Sequence, residues 1–243
     1  MTTPTALISA YERWNRAGRP TQVASVWKRS SWIDWLPEHE PFLTGLDTDR
    51  LDRRQAVEIS PPVESEEQAV EVFLLAMLWG YGLGGLGPFR TRRVLDQPNA
   101  KSELFEVARK AQAKGGLDAF RLVEDRRNRS SGAFLKWLGP AFGTKFIYFL
   151  TAKIDPKTPT PVMDSVVSNW FQINAPRRPL RVDFWHSPSY ELFLESLNEW
   201  AANLSHRHGQ PVRVDDVEYL IFASDSNFGG PEAPTVHDSA VGS

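Results

Sequence analysis

Lys145 is the residue of this chain whose surroundings most favour covalent chemistry. It follows Gly143 and Thr144, and mostly apolar residues continue after it to Lys153. The pattern predicts a buried helix over residues 144–153 with Thr144 as its N-cap. Lys145 then lies in the first turn, where the positive end of the helix dipole and an apolar environment both disfavour the ammonium form. We interpret Lys145 as a candidate nucleophile.

Asp164 is the carboxylate that could act with this lysine. Residues 156–163 contain three prolines, so we expect them to be extended rather than helical. Ten helical residues rise about 15 Å, and eight extended residues cover roughly 26 Å. The chain can therefore return to the start of the helix and place Asp164 beside Lys145, as the N-cap of a helix over residues 165–171. There its negative charge could stabilise a positive charge.

Residues 138–170 resemble the helix-hairpin-helix DNA glycosylases, in particular the 8-oxoguanine glycosylase branch. That branch carries a Gly-x-Gly-Thr-Lys hairpin, with Pro-Val-Asp about nineteen residues further on. The matching residues here are Gly143-Thr144-Lys145 and, with one inserted residue, Pro161-Val162-Met163-Asp164.

The resemblance implies a function and a fold. Lys145 would attack C1′ of a nucleotide flipped out of the duplex, and Asp164 would stabilise the developing oxocarbenium ion. The fold would be all-α and two-lobed, without an N-terminal β domain, and the hairpin would occupy residues 131–153 with a helix at 131–138 as its first arm. DNA would be the partner of a monomeric enzyme that needs no cofactor and no metal. The hairpin residues expected to contact DNA are Gly139, Ala141, Gly143 and Thr144.

Three positions depart from the family pattern. Ala141 replaces the first glycine of the hairpin, Val166 replaces a histidine, and Phe149 replaces the cysteine that packs on 8-oxoguanine. We assign Phe149 and Val166 to the base pocket, with Trp32 and Trp35 as a stacking wall. The changed pocket favours a base other than 8-oxoguanine, either an oxidised genomic base or a modified cytosine of phage DNA, since proteins of similar fold excise such cytosines in phage defence.

Composition limits the other possibilities. The chain has 243 residues and no cysteine, which excludes disulfides, thiolate zinc sites and iron–sulfur clusters and is typical of a cytoplasmic protein. No apolar stretch is long enough to span a membrane. The net charge of −2 argues against non-specific coating of nucleic acid but allows local basic contacts. The arginines predicted to contact DNA are Arg90, Arg92, Arg127, Arg177 and Arg178.

The rest of the chain indicates a helical domain over residues 1–225 and a disordered tail over 226–243. Residues 36–64 are predicted to form a loop, residues 80–88 a glycine-rich connector, and Ser65 to Gln68 a capping box. The remaining helices are predicted at 5–17, 21–35, 69–80, 89–95, 101–114, 116–128, 189–206 and 215–224. Two other functions stay open: a non-catalytic DNA-binding protein that retains the hairpin, and a helical adaptor whose hairpin contacts protein.

Overall fold

The structure, a computed structural model, describes residues 2–177 and 179–224. Over these residues the fold is all-α, as predicted, with one small antiparallel sheet that pairs Ser25 with Leu51 and Val26 with Arg50. In chain order the elements are α1 (Thr5–Arg16), β1 (Ser25–Val26), α2 (Arg29–Trp35), α3 (Glu40–Gly45), β2 (Arg50–Leu51), α4 (Arg53–Ile59), α5 (Glu66–Tyr81), α6 (Gly87–Leu95), α7 (Ala100–Lys114), α8 (Gly116–Arg129), α9 (Pro140–Ile154), α10 (Ser165–Asn174), α11 (Ser187–His208) and α12 (Val214–Ala223). The predicted tail at 226–243 lies outside the described residues.

The prediction of a loop over residues 36–64 is wrong, because α3, β2 and α4 lie there. Pro41 does not prevent α3, since the first turn of a helix needs no intrahelical N–H donor. Helix α4 begins with a capping box: Asp52 accepts a hydrogen bond from the backbone of Gln55 at 2.7 Å, and the Gln55 side chain accepts one from the backbone of Asp52 at 3.0 Å. The predicted helix over 21–35 is also shorter, because β1 interrupts it.

The start of α9 corrects another prediction. Gly139, not Thr144, is its N-cap, and Pro140 is its first residue. Proline is favoured at this position because its φ angle is already helical and its missing N–H would have no partner there. Lys145 therefore lies in the second turn of α9 rather than the first.

Residues 131–138 form turns instead of the predicted helix. Ser131, Leu135 and Trp137 have positive φ angles of 51°, 42° and 75°, which no α-helix contains. Arg127 fixes this segment, since its Nη1 donates to the carbonyl oxygens of Phe134 at 2.8 Å and Leu135 at 3.0 Å.

Helix α5 begins as predicted and forms the centre of the core with α9. Ser65 and Gln68 make the expected capping box, and most of the residues of α5 are buried. Edge-to-face ring pairs join the two helices: Phe73 with Phe146 at 5.9 Å and Trp79 with Phe149 at 5.5 Å. Such pairs add about 0.5–1.5 kcal/mol each to the burial of the rings.

The helices pack in two groups that meet at the end of α9 where Lys145 lies. Helices α5, α7, α8 and α9 pack on one another, whereas α1, α10 and α11 pack on α12, and α11 also contacts α8. Lys145 belongs to the first group and Asp164, at the start of α10, to the second.

Gly143→Ala should destabilise the fold, because a Cβ atom at this position would lie 2.2 Å from Cη2 of Trp185. Overpacking of this kind costs about 1–3 kcal/mol. Gly45→Ala is the control, since no atom lies within 4 Å of the added methyl group. Urea denaturation checks both variants, and equal free energies of unfolding would contradict the packing argument.

Candidate active site

The structure brings Lys145 and Asp164 together. Nζ of Lys145 lies 3.3 Å from Oδ2 of Asp164, although nineteen positions separate the residues in the chain. The side chains are 9% and 14% exposed, so both are largely shielded from solvent while a small part of each reaches the surface. An amine and a carboxylate at this distance can exchange a proton and can act on one substrate atom.

The two carboxylate oxygens of Asp164 make different contacts. Oδ1 caps α10, accepting hydrogen bonds from the backbone N–H groups of Val166 at 3.1 Å and Val167 at 3.2 Å. Oδ2 contacts Lys145. Because the capping bonds fix the carboxylate plane, Oδ2 is held toward the lysine without depending on the lysine for its position.

The Lys145 side chain crosses a narrow space between α5 and α9. A Cβ atom at Gly80 would lie 2.7 Å from Cδ of Lys145, so only glycine leaves room for the lysine there. Nζ is 5.2 Å from the ring centre of Phe142 and 5.8 Å from that of Trp79, and 3.4 Å from the carbonyl oxygen of Ala141. The aliphatic part of the side chain is packed, and the amine has few positions available.

Thr144 joins α9 to the segment that ends at Asp164. Its hydroxyl accepts a hydrogen bond from the backbone N–H of Met163 at 3.1 Å and lies 3.2 Å from the carbonyl oxygens of Met163 and Ala141, either of which can accept its proton. Thr144 is fully buried. It therefore fixes the residue before Asp164 directly to the residue before Lys145.

A buried charged network that the sequence did not reveal lies near the pair. Arg53 makes an ion pair with Glu218 at 2.5 Å, and its guanidinium carbon lies 5.1 Å from the ring centre of Trp79 and 4.8 Å from that of Tyr148. The Tyr148 hydroxyl donates to Asp215 at 3.0 Å. Trp79 thus contacts both Arg53 and Lys145. Residue 53 lies in a predicted loop, and no local pattern pairs it with residue 218.

Burial changes the proton affinity of this network. It raises the pKa of Glu218, against the effect of Arg53, and the negative charge of Asp164 raises it further. Burial also raises the pKa of Tyr148, which keeps its phenol protonated. Burial alone would lower the pKa of Arg53, but the charge of Glu218, the hydrogen bond to it, and the charges of Tyr148 and Asp215 together raise it. Arg53 therefore stays charged, whereas burial works against the charge of Glu218.

The predicted hairpin contacts divide into two kinds. Gly139 is exposed and Ala141 is half-buried at the start of α9, where free backbone N–H groups can face an anion. Gly143 and Thr144 point into the protein, toward Trp185 and Met163. These two residues support the site rather than offering a surface to DNA.

The five predicted arginines also differ from one another. Arg90 and Arg177 are exposed. Arg92 is paired with Glu38 at 3.1 Å and Asp96 at 2.6 Å. The side chain of Arg127 is bound to two backbone carbonyl oxygens, so its role in this structure is to hold residues 131–138. Arg178 lies outside the described residues.

The base-pocket assignment needs correction at two positions. Phe149 and Trp32 are 0% and 1% exposed, because they belong to the core beneath the site. Neither offers a surface to a ligand. Val166 is half-buried beside Asp164, and Trp35 is 46% exposed, so these two remain candidates for contact with DNA.

Two cavities lie beside other residues. One of about 520 Å³ is lined by residues of α4, α9 and α12, including Arg53, Tyr148 and Tyr219. The other, of about 700 Å³, lies between residues 26–30 and 47–49. Lys145 and Asp164 line neither of them.

Over residues 2–177 and 179–224, no cluster of acidic and histidine side chains is arranged to hold a metal ion, and no helix has the length and apolarity of a membrane span.

Comparison with known families identifies the family of this chain. The model of a family described as "Putative 8-oxoguanine DNA glycosylase OGG-like protein" matches residues 18–222, which include the pair and its surroundings. No curated protein and no solved structure matches the chain.

Thr144→Val should loosen the connection between α9 and Asp164. The substitution leaves the buried N–H of Met163 without its acceptor, and an unpaired buried donor costs about 1–3 kcal/mol. Thr144→Ser keeps the hydroxyl and is the matched control. We expect urea denaturation to give a lower free energy of unfolding for the valine variant only. An equal fall in the free energy of unfolding of both variants would contradict this, because it would assign the stabilisation to the threonine methyl group and not to the hydroxyl.

Proposed function

Since the chain belongs to the OGG-like DNA glycosylase family, we propose that it excises a damaged or modified base from DNA, with Lys145 and Asp164 as the reacting pair. The observation that carries the proposal is the 3.3 Å contact between Nζ of Lys145 and Oδ2 of Asp164. Family membership indicates the class of activity. The residue roles, the substrate and the cellular purpose are our proposals.

In the first route the lysine is the nucleophile. Oδ2 of Asp164 is an acceptor for the ammonium proton, and the freed amine attacks C1′. The glycosidic C1′–N bond breaks, and the base leaves with the bonding electrons and takes up a proton. The sugar ring then opens: the C1′–O4′ bond breaks, O4′ takes up the proton held by Asp164, and a Schiff base remains between Lys145 and C1′. Loss of the C2′ proton and β-elimination then break the C3′–O bond and cut the strand.

In the second route water is the nucleophile and Lys145 positions the substrate. The Asp164 carboxylate stabilises the positive charge that develops on the sugar as the base departs, and it takes the proton of the attacking water. If the substrate base is a good leaving group, Asp164 and water are sufficient for its release, without covalent attack by Lys145. The two routes differ in one observable, the covalent intermediate between lysine and DNA.

Base entry requires side chains to move. Lys145 and Asp164 are only slightly exposed, so a flipped sugar must open the space around them as it binds. We place the extruded base in the cavity of about 520 Å³. Tyr148 and Ala152, which line this cavity, follow Lys145 by three and seven residues and share its face of α9.

The surface around the pair offers contacts for DNA. The exposed Gly139 and the α9 N-terminus can bind a phosphate group, and the exposed Arg90 adds positive charge. Arg177 follows the far end of α10, so we assign it a phosphate contact farther from the pair. Leu83 and Leu86 are 69% and 57% exposed in the glycine-rich connector after α5. Apolar side chains of this kind fill the gap that an extruded nucleotide leaves in a duplex.

Two classes of modified base fit the proposed activity. Oxidised genomic bases would assign the protein to base-excision repair, and modified cytosines of phage DNA would assign it to antiviral defence. A panel of DNAs that includes phage genomes with modified cytosine, scored for abasic sites, decides between them.

Lys145→Ala should abolish base release while leaving DNA affinity nearly unchanged, because the largely buried amine adds little to binding. Lys145→Gln should also lose the adduct that borohydride traps in the wild type if the lysine is the nucleophile. The measurements are abasic-site formation on the DNA panel, DNA affinity and borohydride trapping. A parallel loss of affinity and base release would favour a non-catalytic DNA-binding protein instead.

Asp164→Asn should lower the rate of base release by roughly 10²-fold or more, since it removes the charge that stabilises the transition state. The amide keeps an oxygen for the two capping bonds, so we expect little change in thermal stability. Asp155→Asn is the control, because Asp155 also accepts a backbone hydrogen bond, from Lys157 at 2.9 Å, but lies at the other end of α9. Equal rates for both variants would exclude Asp164 from the chemistry.

A further inference from the structure

A group of exposed rings and cations lies next to the start of α9. The guanidinium carbon of Arg93 lies 3.7 Å from the centre of the Trp137 ring, and Nζ of Lys136 lies 5.0 Å from the same point. Arg93 also lies 5.6 Å from the centre of Phe89, which packs edge-on against Trp35 at 5.4 Å. The rings are 52%, 37% and 46% exposed for Trp137, Phe89 and Trp35. We refer to Trp35, Phe89, Arg93, Lys136 and Trp137 as the aromatic–cationic surface.

The backbone keeps the Trp137 ring at the surface despite a conformational cost. Its φ of 75° is rare for a bulky residue and costs on the order of 1–3 kcal/mol. Hydrogen bonds hold the segment in this form: Arg127 donates to two of its carbonyl oxygens, and Glu103 accepts from the N–H of Leu135 at 2.6 Å. An exposed tryptophan held at such a cost is better explained by binding than by packing.

The charges of this surface favour nucleic acid over protein. Within the described residues, Arg93 and Lys136 form no ion pair, whereas the acidic neighbours Glu38 and Asp96 are both paired with Arg92. The surface therefore presents partly exposed rings beside uncompensated positive charge, with Arg93 lying over the Trp137 ring. Proteins that hold unpaired DNA combine these two features, because bases stack on the rings and phosphates contact the cations.

The position of the surface fits a strand that also enters the active site. Ala141, whose carbonyl oxygen lies 3.4 Å from Nζ of Lys145, follows Trp137 by four positions. Four chain steps span at most about 15 Å, and stacked nucleotides rise about 3.4 Å each. A base on Trp137 would therefore lie within a few nucleotides of one whose C1′ is at Lys145.

We propose that the aromatic–cationic surface stacks unpaired bases beside the target nucleotide, so that the preferred substrate is single-stranded or locally opened DNA. The inference rests on the proposed glycosylase function and narrows its substrate class. Trp137 is a binding residue here and takes no part in bond breaking.

The test measures binding of two probes by fluorescence anisotropy: a fluorescein-labelled oligo(dT) 20-mer as the single strand, and a fully paired duplex of mixed sequence. Trp137→Gly removes the ring and suits the positive φ, so misfolding is not a concern. We expect its affinity for the single strand to fall roughly 5- to 100-fold, the usual effect of removing a stacking ring. Trp137→Phe should retain most of the affinity, and duplex affinity should change little.

Ile154→Ala is the matched control. Ile154 is 53% exposed, close to the value for Trp137, but lies at the other end of α9, about 22 Å away along a helix of fifteen residues. This variant should bind both probes as the wild type does. Unchanged single-strand affinity in Trp137→Gly, or an equal loss on the paired duplex, would overturn the inference and leave the glycosylase proposal standing. A wild type that binds neither probe at low salt would instead contradict the proposed function itself.

Discussion

The contact between one carboxylate oxygen of Asp164 and the amine of Lys145 is the interaction around which the site is built. It joins the N-cap residue of α10 to the second turn of α9, and the two helices belong to different packing groups. The other oxygen of Asp164 is fixed by the backbone of α10. A single side chain therefore caps a helix and contacts the amine of Lys145, which couples local folding to the geometry of the candidate site.

Residues with no role in the proposed reaction leave the space for the Lys145–Asp164 contact. Gly80 leaves the volume that the lysine side chain fills, and Gly143 accommodates Trp185 on the opposite side of the same helix turn. The hydroxyl of Thr144 connects α9 to the segment that ends at Asp164. Each member of the Gly-Thr-Lys run thus has a packing role, in addition to its resemblance to the hairpin of the family.

A buried ion pair lies near Lys145 and Asp164. Arg53 and Glu218 are buried together near Asp164, and the aromatic ring of Trp79 lies against both Arg53 and Lys145. Buried ions of this kind are costly unless they are paired, and here they are paired. The arrangement keeps water away from most of the lysine while maintaining a polar region next to it, which strengthens electrostatic effects on any charge that forms there.

The sequence by itself determined the all-α class, most of the long helices, the capping box of α5 and the pairing of Lys145 with Asp164. These follow from apolar periodicity, capping side chains and the reach of a proline-rich segment, all of which are local or depend only on chain length. Tertiary structure alone decided that Phe149 and Trp32 are core, that Arg127 holds a turn, that Arg53 meets Glu218, and that Trp137 faces solvent. Each of these depends on which distant segment packs against the residue, and side-chain type and spacing do not encode that choice.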